Sequence, residues 1–124
     1  MTPLALSRMA LALPGAHEEP HFERTSFRVG KKIFATMTTD GSEAMVRVPG
    51  DGEIRGLLER HPDVFFSYGT WTTRNKALGV RVKQIDAARM QQLLTGSWKH
   101  VAPKKEVARF EATERGSADG ARRR

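Results

Sequence analysis

Gly30-Lys31 and Asp40-Gly41 constrain this chain more than any other feature. Each joins two β-rich stretches across a loop too short for anything but an antiparallel return, since a parallel crossover needs about a dozen residues or more. The stretches are 25–29 (TSFRV), 32–37 (KIFATM) and 43–48 (EAMVRV), and Pro49-Gly50 stops the last. Glycine at the first central position of Gly30-Lys31 suits a type II′ turn. The pattern predicts a three-stranded antiparallel meander and disfavours an alternating βαβ sheet.

Helices flank the meander. Thr2-Pro3 offers a hydroxyl cap and a proline at the first helical position, Leu6, Met9, Ala10 and Leu13 recur at helical spacing, and Pro14-Gly15 ends the run. Leu4 and Leu11 widen that apolar surface, so the helix is either deeply buried or covered by something else. Asp51 is a candidate cap for a short helix carrying Ile54, Leu57 and Leu58, which ends near His61-Pro62. Val64 to Tyr68 and Ala77 to Lys83 read as further strands joined by a polar stretch (GTWTTRN). Asp86 caps a last helix with Met90, Leu93, Leu94 and Val101 on one side and Gly96 as a point of weakness. The order α, βββ, α, ββ, α predicts an α+β fold. The expected architecture is a two-layer sandwich, with an antiparallel sheet of about five strands and the N- and C-terminal helices packed on one face.

The chain has 124 residues, enough for one domain with its own core. It contains no cysteine, which excludes disulfides, thiolate zinc sites, iron–sulfur clusters and a thiol nucleophile. The net charge of +7 divides into +4 on residues 1–103 and +3 on residues 104–124. The second segment has one aromatic residue, Phe110, and ends in Gly, Ala and arginines. Most of it reads as a mobile basic tail behind a single domain at 1–103; residues 104–112 could extend a helix for a turn or two, but Pro103 argues for a break first. The arginines at 122–124 could add phosphate affinity or could simply be solvated. Residues 3–13 are interrupted by Arg8 and are too short for a membrane span. No signal is evident, so the expectation is a cytoplasmic protein without a membrane partner, monomeric in the favoured reading.

Strand periodicity sorts the side chains onto two faces. Phe27 and Val29, then Ile33, Ala35 and Met37, then Ala44, Val46 and Val48, then Leu78, Val80 and Val82 form the aliphatic sets expected to meet the helices. The opposite face then carries Arg28, Lys32, Arg47, Arg81 and Lys83 around Phe34 and Met45. Cations beside an aromatic ring are what a phosphate backbone and an unstacked base would use. Long basic side chains covering an exposed sheet face with their stems would look the same. Arg28, Lys32, Phe34, Arg47, Arg81 and Lys83 are therefore the candidate nucleic-acid contacts, with DNA as the partner.

Catalytic patterns do not survive inspection. His17-Glu18-Glu19-Pro20-His21 matches H-E-x-x-H literally, but Pro20 breaks the helix that would bring both imidazoles to one zinc ion. The segment reads instead as an exposed loop. No nucleophile elbow and no glycine-rich phosphate loop is present. Trp71 sits among Thr70, Thr72, Thr73 and Arg74, where it would stack on a ligand or pack on the domain. Trp98, spaced with Leu94 and Val101, reads as core. No metal, no cofactor and no catalytic residue is expected, and the chain is read as a non-enzyme.

The strings LALPGAHEEP (11–20), FRVGKKIFA (27–35) and SWKHVAPK (97–104) resemble the MmcQ/YjbR family of small bacterial proteins. That resemblance spans residues 8–104. It implies an α+β sandwich related to the frataxin-like arrangement, a DNA-binding label resting on fold similarity, and no enzymatic activity. One common pattern of the family places a tryptophan after Asn-Lys, before the last strand. Here Asn75-Lys76 is followed by Ala77-Leu78, with the tryptophan upstream at 71. The iron handling of frataxin-like proteins needs an acidic ridge on the first helix, and helix 4–13 has no Asp or Glu. Two functions follow. The first is nucleic-acid binding on the basic sheet face. The alternative is a protein- or small-ligand-binding module using the apolar first helix and the loop of Tyr68 and Trp71.

Overall fold

The computed structural model describes residues 1–122, with side chains through residue 115. Six strands build one antiparallel sheet in the order β1-β2-β3-β4-β6-β5. They are β1 (Ala16–His21), β2 (Arg24–Val29), β3 (Lys32–Thr38), β4 (Glu43–Arg47), β5 (Phe65–Phe66) and β6 (Ala77–Arg81). The helices are α1 (Pro3–Leu11), α2 (Asp51–Arg60), α3 (Thr70–Asn75), α4 (Ala87–Val101) and α5 (Lys104–Arg122). Leu6 and Ala10 of α1, Ile54 and Leu57 of α2, and Met90, Leu94 and Trp98 of α4 join Phe27, Ala35, Met37, Ala44, Val46, Leu78 and Val80 in one buried cluster. The α+β two-layer sandwich is therefore the fold, with α1 and α4 on one face and the other face largely open.

Several elements differ from expectation. The sheet gains a strand because residues 16–21 pair with β2 along their whole length instead of forming a loop. Pro20 is tolerated there because β1 is an edge strand, where a missing N–H costs no ladder bond. The stretch GTWTTRN folds as α3 between Gly69, at φ +72°, and Lys76, in the left-handed region. The strand before it shrinks to Phe65–Phe66, and the strand after it stops at Arg81, giving way to a 3₁₀ turn at Val82–Gln84. Gly50, not Asp51, is the N-cap of α2, and the Asp51 carboxylate pairs instead with the Lys76 ammonium. Helix α4 runs unbroken through Gly96 from a cap in which Asp86 accepts from the Arg89 N–H at 2.7 Å. In α1 one stripe is buried, while Leu4 and Leu11 remain exposed.

The turns are held by local polar bonds. Gly30 has φ +61° and Lys31 stays out of the left-handed region, as a type II′ turn requires. In the β3–β4 turn the Asp40 carboxylate accepts from the Ser42 hydroxyl at 2.7 Å, the Ser42 N–H at 3.0 Å and the Thr38 hydroxyl at 2.8 Å. These bonds, led by those from Ser42, hold its carboxyl down at about 2.

One irregularity organises the sheet. Phe27 pairs with Ala35, but the next residue, Arg28, pairs with Ile33, so Phe34 is an extra residue on β3. In a bulge of this kind two successive side chains fall on the same side. Phe34 and Ala35 both enter the core, and Ile33 turns to the open face. Beyond the bulge, Ser97 of α4 fills the gap between β3 and β4. Its buried hydroxyl donates to the Phe34 carbonyl and accepts the Arg47 N–H at 2.8 Å. Helix and sheet are thus joined by a hydrogen-bonded bridge inside an otherwise apolar layer.

The segment expected to be a mobile tail is helical. Pro103 ends α4, and its carbonyl opens α5 by accepting from the N–H groups of Glu106 and Val107. Val107 and Phe110 pack against the core, Phe110 with its ring 5.1 Å from that of Trp98. Trp98 itself is buried, and its indole donates to the Pro14 carbonyl at 2.9 Å. A lone aromatic suffices to dock this helix because a large buried ring is there to receive it. The side chains of the arginines at 122–124 lie outside the described residues.

Replacing Ser97 by Ala leaves the Phe34 carbonyl and the Arg47 N–H buried without partners. Urea unfolding is expected to show a loss of about 1–3 kcal/mol. Gln92→Ala on the exposed side of α4 should stay within about 0.5 kcal/mol of the parent.

Candidate ligand-binding site on the open sheet face

The pairing register defines the face turned away from α1 and α4. Arg24, Ser26 and Arg28 of β2 stand opposite His21, Glu19 and His17 of β1 on one side. On the other side they meet Thr38, Thr36 and Ile33 of β3. Thr36 pairs with Met45, which pairs with Gly79, and Gly79 pairs with Phe66. Gly79 is required there: a Cβ would stand 2.5 Å from the Phe66 ring lying over it.

From Phe66 a row of edge-to-face rings crosses this face. Phe66 and Tyr68 have centroids 5.2 Å apart, and Tyr68 and Trp71 are 5.4 Å apart. The loop that carries them is tied by the Tyr68 N–H donating to the buried Thr72 hydroxyl at 2.6 Å. Below the row lies an open hollow of about 800 Å³. Ile33, Thr36 and Met45 form its floor, Tyr68 and Trp71 one wall, and the turn at His21, Phe22, Glu23 and Arg24 the other, with Arg47 at the base. Two of its aromatic residues are unusually bare, Trp71 at 45% and Phe22 at 95% exposure. Phe22 also holds φ +57°, a left-handed conformation that is strained for a bulky side chain.

Two guanidinium groups reach the hollow. Arg24 donates to the Thr36 hydroxyl at 3.1 Å and stands 5.9 Å from the Tyr68 ring centre. Arg47 donates to the Asn75 carbonyl at 2.7 Å, and burial pulls its ionisation downward. Neither forms an ion pair among the described residues. Among the described residues the buried Tyr68 hydroxyl oxygen makes no hydrogen bond of ordinary length; burial pushes its ionisation upward, and the neighbouring Arg24 guanidinium opposes that shift.

The six residues singled out by strand parity scatter. Arg28, Arg47 and Arg81 lie on the open face, and Met45 with them. Arg28 donates to the Ser26 hydroxyl at 2.8 Å and lies 3.8 Å from the Glu19 carboxylate. Arg81 donates to the Pro62 and Phe65 carbonyls and stacks 5.0 Å over Phe66. Phe34 is in the core, because the bulge reverses its side. Lys32 lies upstream of the same bulge and lines a different hollow, of about 670 Å³, where the β2–β3 turn meets the α4–α5 junction. Lys83 follows the end of β6 and is carried off the sheet by the 3₁₀ turn. Lysines collect in that second hollow: Lys31, Lys32, Lys99 and Lys104 line it together with His100, and no acidic residue does. Parity reasoning missed Ile33, Phe22 and Arg24. The bulge hid the first, and the unrecognised β1–β2 turn hid the other two.

The H-E-x-x-H string lies on β1, with His17 bonded to Glu19 at 2.8 Å. Four residues apart in a strand, its two histidines are separated by about 13 Å and cannot share an ion. Among the described residues no group of three or more His, Asp or Glu is placed to hold a metal ion. Among them, too, no helix is long and apolar enough to cross a membrane.

The family model of YjbR matches residues 11–100. This chain belongs to the YjbR family. The match takes in every residue lining the open-face hollow and stops before α5. Among solved structures, the Deinococcus radiodurans protein DR2400, described as a DUF419 domain, is similar with a TM-score of 0.66 and 23% identity. The likeness covers 81% of this YjbR chain and 78% of that one, and it is a likeness of fold. No curated protein matches the chain.

Phe22 is strained and nearly free of contacts, so the fold does not need it. Phe22→Asn, a residue that accepts left-handed backbone, is expected to raise stability by about 0.5–1 kcal/mol in urea unfolding.

Proposed function

We propose that this YjbR-family protein is a non-catalytic binding module whose site is the open-face hollow, and that it takes a small ligand bearing a flat ring. The observation that carries this reading is the pair of exposed aromatics, Phe22 and Trp71, standing on separate elements around one apolar floor. Solvent-exposed rings of this size cost free energy in the unliganded protein unless a partner covers them. The volume lies in the range of about 300–1,000 Å³ typical of small-ligand sites. Continuous phosphate tracking along this face is less well supported. Of its four arginines, Arg28 and Arg81 spend donors on protein acceptors, and Arg24 and Arg47 line the hollow.

Titration with neutral ring compounds, indole and adenosine, tests the reading by NMR. Shifts are expected at the Trp71 indole and the Ile33 and Met45 methyls, and Trp71→Ala should weaken binding roughly three- to tenfold. Shifts confined to another surface, or none at millimolar ligand, would reject it.

A second reading, nucleic-acid binding, is favoured by a different observation, the cationic cluster at the β2–β3 turn and the α4–α5 junction. Counterion release would make such binding fall steeply with salt. Anisotropy with duplex and single-stranded DNA compares Lys31→Glu/Lys32→Glu/Lys104→Glu with Arg28→Glu/Arg47→Glu/Arg81→Glu. Loss in the lysine triple alone is expected. Loss in the arginine triple alone would return nucleic acid to the sheet face, and no salt-sensitive binding by the parent would remove this reading.

A further inference from the structure

Resting on the hollow as a ligand site, we infer that its ligand joins the flat ring to an anionic oxygen group, a carboxylate or a phosphate, held by Arg47, Arg24 and the Tyr68 hydroxyl. Three features of the lining point to that chemistry. Arg47 is partly buried at the base of the hollow and has one protein acceptor, the Asn75 carbonyl, for its five N–H donors. Arg24 likewise has a single hydroxyl acceptor, Thr36. Glu23 lines the same hollow yet pairs with neither cation. The Tyr68 hydroxyl oxygen is buried beside Arg24 and, among the described residues, makes no hydrogen bond of ordinary length, although buried polar atoms are nearly always satisfied. Part-buried cations without a counter-ion and a hydroxyl without a full hydrogen bond, all lining one hollow, favour an anionic group there. The aromatic wall and the strained, exposed Phe22 supply surfaces for the ring to which that group is attached.

The remaining features of the molecule point elsewhere or nowhere. The exposed Leu4 and Leu11 on α1 have nothing to indicate what covers them, and the second hollow sets its lysines beside aliphatic side chains, with no Phe, Tyr or Trp to stack on a ring.

Matched probe pairs separate the anion from the ring: benzoate against benzamide, and adenosine monophosphate against adenosine. The anionic member of each pair is expected to bind roughly ten- to a hundredfold tighter to the parent protein. Arg47→Gln and Arg24→Gln should each remove most of that difference while leaving affinity for the neutral member nearly unchanged. Tyr68→Phe, which keeps the ring and its packing, should remove part of it, so that loss of folding in Arg47→Gln does not decide the matter. Equal affinity for charged and neutral members overturns the inference while leaving the hollow as a ring-binding site; failure of all four probes overturns both. An oligodeoxyadenylate assigns the source of the anion. Affinity no better than the mononucleotide identifies a free small molecule. A much tighter, strongly salt-dependent complex still seated on Arg24 and Arg47 identifies a single strand carrying the same group.

Discussion

The Ser97 hydroxyl, set between the Phe34 carbonyl and the Arg47 N–H, is the contact on which both faces of this sheet depend. A bulge interrupts the β2–β3 pairing at Phe34, the β3–β4 ladder stops at Ala35 and Val46 beside it, and a ladder that ends deep in an apolar layer leaves backbone groups that water cannot reach. A side chain delivered from α4 satisfies them. The same extra residue turns Phe34 inward beneath the helix and Ile33 outward to the open face. The apolar floor of the hollow and the aromatic filling of the core thus arise from one insertion. Arg47 is positioned by this arrangement as well, since its backbone is fixed by Ser97 and its guanidinium by the Asn75 carbonyl.

The open face is neither a bare polar surface nor a uniform cationic one. Its edges are made of arginines engaged with the protein: Arg28 with Ser26 and Glu19, Arg81 with two carbonyls and the Phe66 ring. Its centre is apolar and aromatic, and the cations there lack carboxylate partners. Net positive charge therefore says little about what the face recognises. What matters is which donors remain unspent, and these belong to Arg24 and Arg47. The charge on lysines instead gathers at the opposite end of the domain, beside the junction of α4 and α5.

Much of the architecture could be read from residue order. Gly30-Lys31 and Asp40-Gly41 carry their turn geometry in their own chemistry, and Leu94 and Trp98 announce the inner side of α4 by spacing. The site was less legible because period two assumes an unbroken strand. A single extra residue at Phe34 reverses every side upstream of it, and nothing in KIFATM marks where a bulge falls. Strand β1 was hidden by Pro20, which is a poor strand residue everywhere except at an edge. The docking of α5 escaped notice because it depends on a partner, Trp98, lying beyond the intervening Pro103. The fold beneath this chain is shared with the YjbR family, and the hollow lies wholly within the matched span.

Pro20 has a wider consequence. An open sheet with an uncovered, partly apolar face invites strand-to-strand polymerisation along its two free edges. Here one edge is β1, with a proline and two glutamates in six residues, and the other is β5, only two residues long. Neither offers a long run of unpaired amide groups to a second molecule. The blunted borders let the protein keep a recognition surface exposed to solvent without becoming the seed of a fibril.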